Sequence, residues 1–159
     1  MIRLGKLTDY GVVLMTYIAR DGSPILRTSR DLAVESKLPL PTVSKILKKL
    51  LESGLLTSHR GIKGGYSLAK KPDQISVADI IVAIEGPIAL TECSDAVGMC
   101  DVERSCPIKS NQRIVSEVVR GALEKVTLSD LLHPLQLVAI KNSRGQMVPS
   151  IEIISGSMQ

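Results

Sequence analysis

Residues 39–69 constrain the fold more tightly than any other stretch of the chain. Pro39-Leu40-Pro41 cannot lie inside a helix, because proline lacks an N–H and its ring clashes with the preceding turn, but it suits a first helical position. From Thr42 the apolar residues Val43, Ile46, Leu47, Leu50 and Leu51 recur at the period of an amphipathic helix. Gly54 is placed to cap its end. Residues 55–59 then read as a short strand, Arg60-Gly61-Ile62-Lys63-Gly64-Gly65 as a turn, and residues 66–69 as a second strand. Upstream, Thr28-Ser29-Arg30-Asp31 has the pattern of a capping box opening another helix. Helix, short loop, helix and glycine-rich hairpin is the order of a winged helix-turn-helix.

Other signals surround this unit. Thr8-Asp9 opens a run in which Val12, Val13, Met15, Ile18 and Ala19 are apolar. Ser76-Val77-Ala78-Asp79 repeats the capping pattern ahead of Ile80, Ile81 and Ile84, and Thr127-Leu128-Ser129-Asp130 repeats it again. Residues 111–126 read as a long helix whose Val115, Val119, Ala122 and Val126 are spaced like a helix–helix seam. Residues 136–159 mix Gly, Ser and Pro with scattered apolar residues and show no period, so no element is assigned there. The expectation is a mainly α chain in three parts: a winged helix-turn-helix DNA-binding region over 1–72, a helix, cysteine loop and dimerisation helix over 73–134, and a tail over 135–159.

Composition narrows the function classes. Phe and Trp are absent and Tyr occurs three times, so the core must be aliphatic. The same lack argues against modules that stack single-stranded bases on aromatic rings, whereas duplex DNA needs none. Charge is uneven: residues 1–71 hold 13 Lys and Arg against 5 Asp and Glu, while residues 72–159 hold 7 against 11. A basic first half points to a polyanionic partner for that half alone. Arg3 and Lys6 before the apolar run over residues 11–19 imitate a signal peptide, but Asp9 sits at the front of the run and no small-residue cleavage site follows. Nothing reaches the roughly 18 apolar residues of a membrane span. A cytoplasmic protein with reduced thiols is expected.

On the helix after Pro41, residues Thr42, Ser44, Lys45, Lys48 and Lys49 lie off the apolar stripe. A recognition helix presents its N-terminal residues to base edges and its cations to phosphates. Thr42, Ser44 and Lys45 suit the first task, Lys48 and Lys49 the second. Thr28, at the start of the preceding helix, joins the candidate surface. In the hairpin, Arg60 is placed for a narrow minor groove, with Lys63 and the adjacent His59 beside it. Double-stranded DNA is the partner this surface implies.

Cys93, Cys100 and Cys106 are the chain's three cysteines, separated by six and five intervening residues within a loop-like segment rich in acidic residues. Three thiolates on one loop can ligate iron or zinc, leaving one ligand to be supplied from elsewhere. Spacing alone leaves open an iron–sulfur cluster, zinc, a thiol–disulfide switch and inert buried thiols. Catalysis is not expected: the two histidines, His59 and His133, lie far along the chain from the cysteines, and no nucleotide loop, His pair or Ser-x-x-Lys motif is present.

Leu7-Thr8-Asp9-Tyr10-Gly11, the Arg60-Gly61-x-x-Gly64-Gly65-Tyr66 hairpin and the three-cysteine loop ahead of a long helix together resemble the iron–sulfur winged-helix regulators typified by IscR and NsrR. The resemblance runs from about Arg3 to His133. Pro39-Leu40-Pro41-Thr42-Val43-Ser44-Lys45 with Ser58-His59-Arg60-Gly61 looks most like the subgroup that regulates SUF cluster-assembly genes. The resemblance implies a homodimer crossed through the long helix, with Cys93, Cys100 and Cys106 binding a 2Fe–2S or 4Fe–4S cluster. IscR-like members carry a histidine ligand three residues after the last cysteine, where this chain has Lys109. NsrR-like members use an aspartate near the N-terminus of the partner subunit, and Asp9 matches that position. The first cysteine interval is one residue longer than in those relatives.

Overall fold

The computed structural model describes residues 4–20, 26–96 and 98–153. Arg3 and residues 154–159 of the tail lie outside the described residues. In chain order the elements are α1 (Lys6–Ala19), α2 (Ser29–Ser36), α3 (Leu40–Glu52), β1 (Leu56–His59), β2 (Gly65–Leu68), α4 (Val77–Glu85), α5 (Glu92–Asp95), α6 (Lys109–Glu124), β3 (Leu135–Lys141) and β4 (Met147–Ile153). Short 3-10 turns lie at Pro72–Gln74 and Asp130–Leu132.

The start signals mostly act as their chemistry dictates. Thr28 and Asp31 close a reciprocal capping box on α2, and Ser76 with Asp79 does the same on α4. Pro39 is the N-cap of α3 and Pro41 sits in its first turn. Two signals act differently. α1 begins at Lys6 behind Gly5, and Thr8 is buried with its hydroxyl donating to Glu85 instead of capping the helix. Thr127 N donates to the Asp130 carboxylate (2.7 Å) and Asp130 N to the Thr127 hydroxyl oxygen (3.2 Å), yet only a 3-10 turn follows. Pro134 arrives too soon, and proline disfavours helix in the residue before it.

The core is aliphatic throughout. Leu14 and Met15 of α1, Leu32 of α2, Val43, Ile46, Leu47 and Leu50 of α3, Ile75, Ile80 of α4 and Leu128 have no solvent exposure. The boundary read from sequence near residue 72 therefore does not divide the packing: α4 fills the same core as α1 and α3. The chain also returns to it after α6, where Val77 N donates to Val126 O (2.8 Å) and Leu128 N to Ile75 O (2.7 Å). Gly11 permits the closest approach, since a methyl group there would overlap Ile84 Cδ1 of α4.

The tail, to which sequence assigns no element, forms an antiparallel hairpin with Leu137 opposite Ile151 and Lys141 opposite Met147. Asn142 turns it by accepting from Arg144 N (2.9 Å) and Gln146 N (3.0 Å) through its side-chain oxygen. Pro149 is tolerated because a two-stranded ribbon is all edge. Leu135, Leu137, Ala139, Met147, Pro149 and Ile151 share one face, and that face is exposed.

Candidate DNA-binding surface and cysteine loop

α2 and α3 form the helix-turn-helix. Lys37, in the left-handed region at φ 56°, ends α2 and turns the chain into Pro39. With the stripe of α3 buried, its opposite face presents Ser44, Lys45 and Lys48 to solvent and Thr42 at half exposure. Lys48 makes only a loose exposed pair with Glu52 (3.8 Å), worth little in water. Its ammonium is therefore available to a phosphate.

Lys49, expected at a phosphate, is placed differently from Lys48. One position further round the helix, it lies against α4 and its Nζ donates to Ile84 O (2.7 Å). Thr28 is half-buried and occupied as the cap of α2, where its hydroxyl and N–H hold the Asp31 carboxyl below the usual carboxylate range.

The wing is anchored by a residue that carries no signal in the sequence. Arg27 pairs with Tyr66 through both backbone groups (3.1 and 2.9 Å), a single bridge on the outer edge of β2. Its guanidinium also pairs with Glu35 of α2, so the wing is fixed beside the helix-turn-helix. Gly64 N closes the turn on Gly61 O (2.9 Å). Arg60, Lys63 and Ile62 stand out at the tip, all exposed, and His59 Nε2 lies 3.1 Å from Ser67 Oγ. Ile62 too goes unmarked in the sequence; an apolar side chain at a wing tip gives no periodic signal.

Cys93 is buried in α5, with its sulfur 3.3 Å from Thr91 Oγ1, while Cys100 and Cys106 are half-buried and all three are free thiols. The loop between them is fastened by Glu103, which is 6% exposed. Glu103 accepts from Gly98 N and pairs with Lys109 (2.7 Å) and Arg113 (3.4 Å) of α6. The Lys109 hydrogen bond first, then the Gly98 N–H, hold its carboxyl below the usual range against the opposing effect of burial. Arg113 Nε also donates to Cys93 O (2.9 Å), so one guanidinium ties both ends of the loop. Lys109 and Arg113, four apart and thus on one helix face, are the legible sign of this clasp.

Three thiols are suitable donors for iron. Among the described residues, however, no three His, Cys, Asp or Glu side chains stand together as a metal-holding group. Asp9 is exposed in the first turn of α1 and is not assembled with the cysteines in such a group. Among the described residues the single chain presents no preformed metal site.

On α6 the exposed apolar residues are Ile114 (61%), Val115 (48%) and Val118 (67%), continued by Ala122. Val119, expected in the seam, is half-buried, and Val126 lies beyond the helix in the segment paired with Val77. The exposed stripe is therefore rotated by about one residue from the sequence reading. No helix among the described residues is long and apolar enough to cross a membrane.

A mainly helical body with a two-stranded wing beside a basic helix-turn-helix defines a winged-helix DNA-binding protein. The chain belongs to the Rrf2 family, described as iron-dependent transcriptional regulators, whose profile matches residues 4–134. It is 32% identical over 133 residues to an HTH-type transcriptional regulator of Mycobacterium tuberculosis, covering 82% of this chain and 81% of that one. It is 26% identical over 145 residues to the HTH-type transcriptional regulator IscR of Klebsiella pneumoniae, covering 91% and 88%. Among solved structures it resembles CymR, the global cysteine regulator of B. subtilis, with a TM-score of 0.66 and 25% identity over 83% of this chain and 97% of that one. The protein is a DNA-binding transcriptional regulator, not an enzyme.

Proposed function

We propose that the chain binds a two-fold operator as a homodimer and that its cysteine loop sets the affinity. The observation that carries this is the pairing of a finished basic reading surface with a thiol-bearing loop clasped to a helix whose apolar stripe lies bare. Thr42, Ser44 and Lys45 would face base edges in the major groove, with Lys48, Lys63 and His59 near phosphates and Arg60 in the adjacent minor groove. The bare stripe of α6 would be covered by the same stripe of a second copy, placing two reading helices for a palindromic site.

Cys93, Cys100 and Cys106, with Asp9 of the partner subunit, would hold an iron–sulfur cluster. Such a group, when bound, supplies a centre that responds to iron supply and oxidants. The resemblance of residues 39–45 and 58–61 to regulators of SUF genes makes cluster-assembly genes the proposed targets. This chain's own part is mechanical: Glu103, Lys109 and Arg113 hold the loop on α6, so a change at the thiols is transmitted to the dimer helix.

A second reading, thiol sensing without a cluster, is favoured by one observation, the lack of a preformed metal-holding group among the described residues. Anaerobic purification separates the two, with visible absorption, iron and sulfide assays on the wild type and Cys100→Ala. Coloured protein with stoichiometric iron and sulfide, lost in the variant, is the result expected. Colourless protein after reconstitution, with DNA binding that follows thiol oxidation, would replace the cluster with the second reading.

A further inference from the structure

The last carbonyls of a helix have no partner within it and must find one elsewhere. At the end of α4, Ile84 O is met by Lys49 Nζ of α3 at 2.7 Å, a cation at the negative end of the helix dipole. The next residue, Glu85, turns toward α1. Its carboxylate accepts from Gly5 N (2.8 Å) and from the Thr8 hydroxyl, placing an anion at the positive end of that helix. Between the two ties, the Ile84 side chain is 3% exposed and fills the gap beside Gly11 and Ile46, so α1, α3 and α4 meet at one point.

The exit from α4 is constrained as well. Gly86 has φ 98° and ψ −166°, a region essentially closed to residues with a Cβ, so the direction in which the chain leaves the helix depends on glycine at this position. Six residues after Gly86 comes α5 with Cys93, whose carbonyl is held by Arg113. Two adjacent residues at the root of the cysteine loop thus grip the DNA-reading helix on one side and the N-terminal helix on the other.

We infer that Ile84 and Glu85 form the junction through which the state of the cysteine loop reaches the reading helix. Lys49 and Glu85 are positioning residues of that junction, and Lys49 is not a nucleic-acid contact. Displacement of the loop is passed along the short segment after Gly86 to Ile84 O and the Glu85 carboxylate, and so to α3 and α1 together. The inference rests on the reading of the cysteine loop as a sensor.

The test measures affinity for a duplex selected from a random pool, by anisotropy at several salt concentrations. Full-length protein is used in three preparations: reduced with dithiothreitol, oxidised with diamide, and reconstituted anaerobically with iron and sulfide. The readout is the ratio between the tightest and weakest of the three. Lys49→Met and Glu85→Ala are each expected to bring that ratio about 5-fold or more closer to one. Glu85→Gln, whose amide oxygen still accepts both bonds, keeps the wild-type ratio. The salt slope of Lys49→Met stays at the wild-type value, whereas a lost phosphate contact would lower it by about one.

Thermal melts check that each variant folds, and Thr8→Val removes the α1 tie should Glu85→Ala unfold. A wild type that responds while Lys49→Met and Glu85→Ala respond equally overturns the junction alone. So does a salt slope reduced by about one in Lys49→Met. A wild type with equal affinity in all three preparations overturns the sensor reading, and the junction with it.

Discussion

The body built from α1 to α4 with the wing, and the part formed by the cysteine loop, α6 and the C-terminal hairpin, use the same aliphatic residues to opposite ends. In the body each apolar stripe meets another: Leu14, Leu32, Leu47, Leu50 and Ile80 are all fully buried. In the second part Val118 of α6 is 67% exposed and Leu137 of β3 is 76% exposed. The polar groups differ too. The body closes two capping boxes, whereas the loop is held by one buried carboxylate and two cations from α6. The body is thus complete within one chain. A bare apolar stripe is a candidate partner surface, and that of α6 adjoins the residues proposed to sense.

The contrast can be broken or sharpened by substitution, the largest effect being in the body. Leu50→Ala is expected to cost about 2–5 kcal/mol, read as a fall in urea midpoint with unchanged slope. A loss below about 1 kcal/mol would mean that the body is less tightly packed than described. Next comes the α2 cap: Thr28→Val should cost about 1 kcal/mol by the same assay.

Glu103→Gln gives a smaller change with a pH signature. A carboxyl held below its usual range stabilises the fold above that range, and the contribution disappears as pH falls through the lowered value. The stability gap between wild type and variant should therefore shrink on acidification; a gap constant from about pH 7 downward through the carboxylate range would contradict the clasp. Val118→Lys should change chain stability least, within about 0.5 kcal/mol. By sedimentation it should nevertheless run as a monomer, with the wild type expected to run as the proposed dimer.

Much of the body is legible in the sequence because its signals are local. A proline-started helix, a 3.6-residue stripe and two capping patterns each specify their own geometry, and residues 41–69 fold nearly as the pattern requires. The bond from Lys49 to Ile84 is not legible, because charge on a helix says nothing about which neighbour it meets; only the packing of α4 against α3 brings the two together. Which apolar residues of α6 are exposed is only partly legible, since Val119 and Val115 look alike until Ser116 is seen to be the buried side. The hairpin escapes sequence reasoning because Pro149 interrupts the strand pattern and its apolar face stays exposed. The cysteines are conspicuous as residue types, but their placement depends on a loop whose shape Glu103 and Arg113 set.

The most direct test of the central claim is the affinity of wild-type protein for a selected palindromic duplex, before and after blocking the three thiols with iodoacetamide. The DNA-reading surface contains no cysteine, so the label cannot touch it. Binding that changes about 5-fold or more on alkylation, with an unaltered salt slope, is the result expected of a reading helix governed by the cysteine loop. Equal affinity before and after would show that the loop does not govern DNA binding.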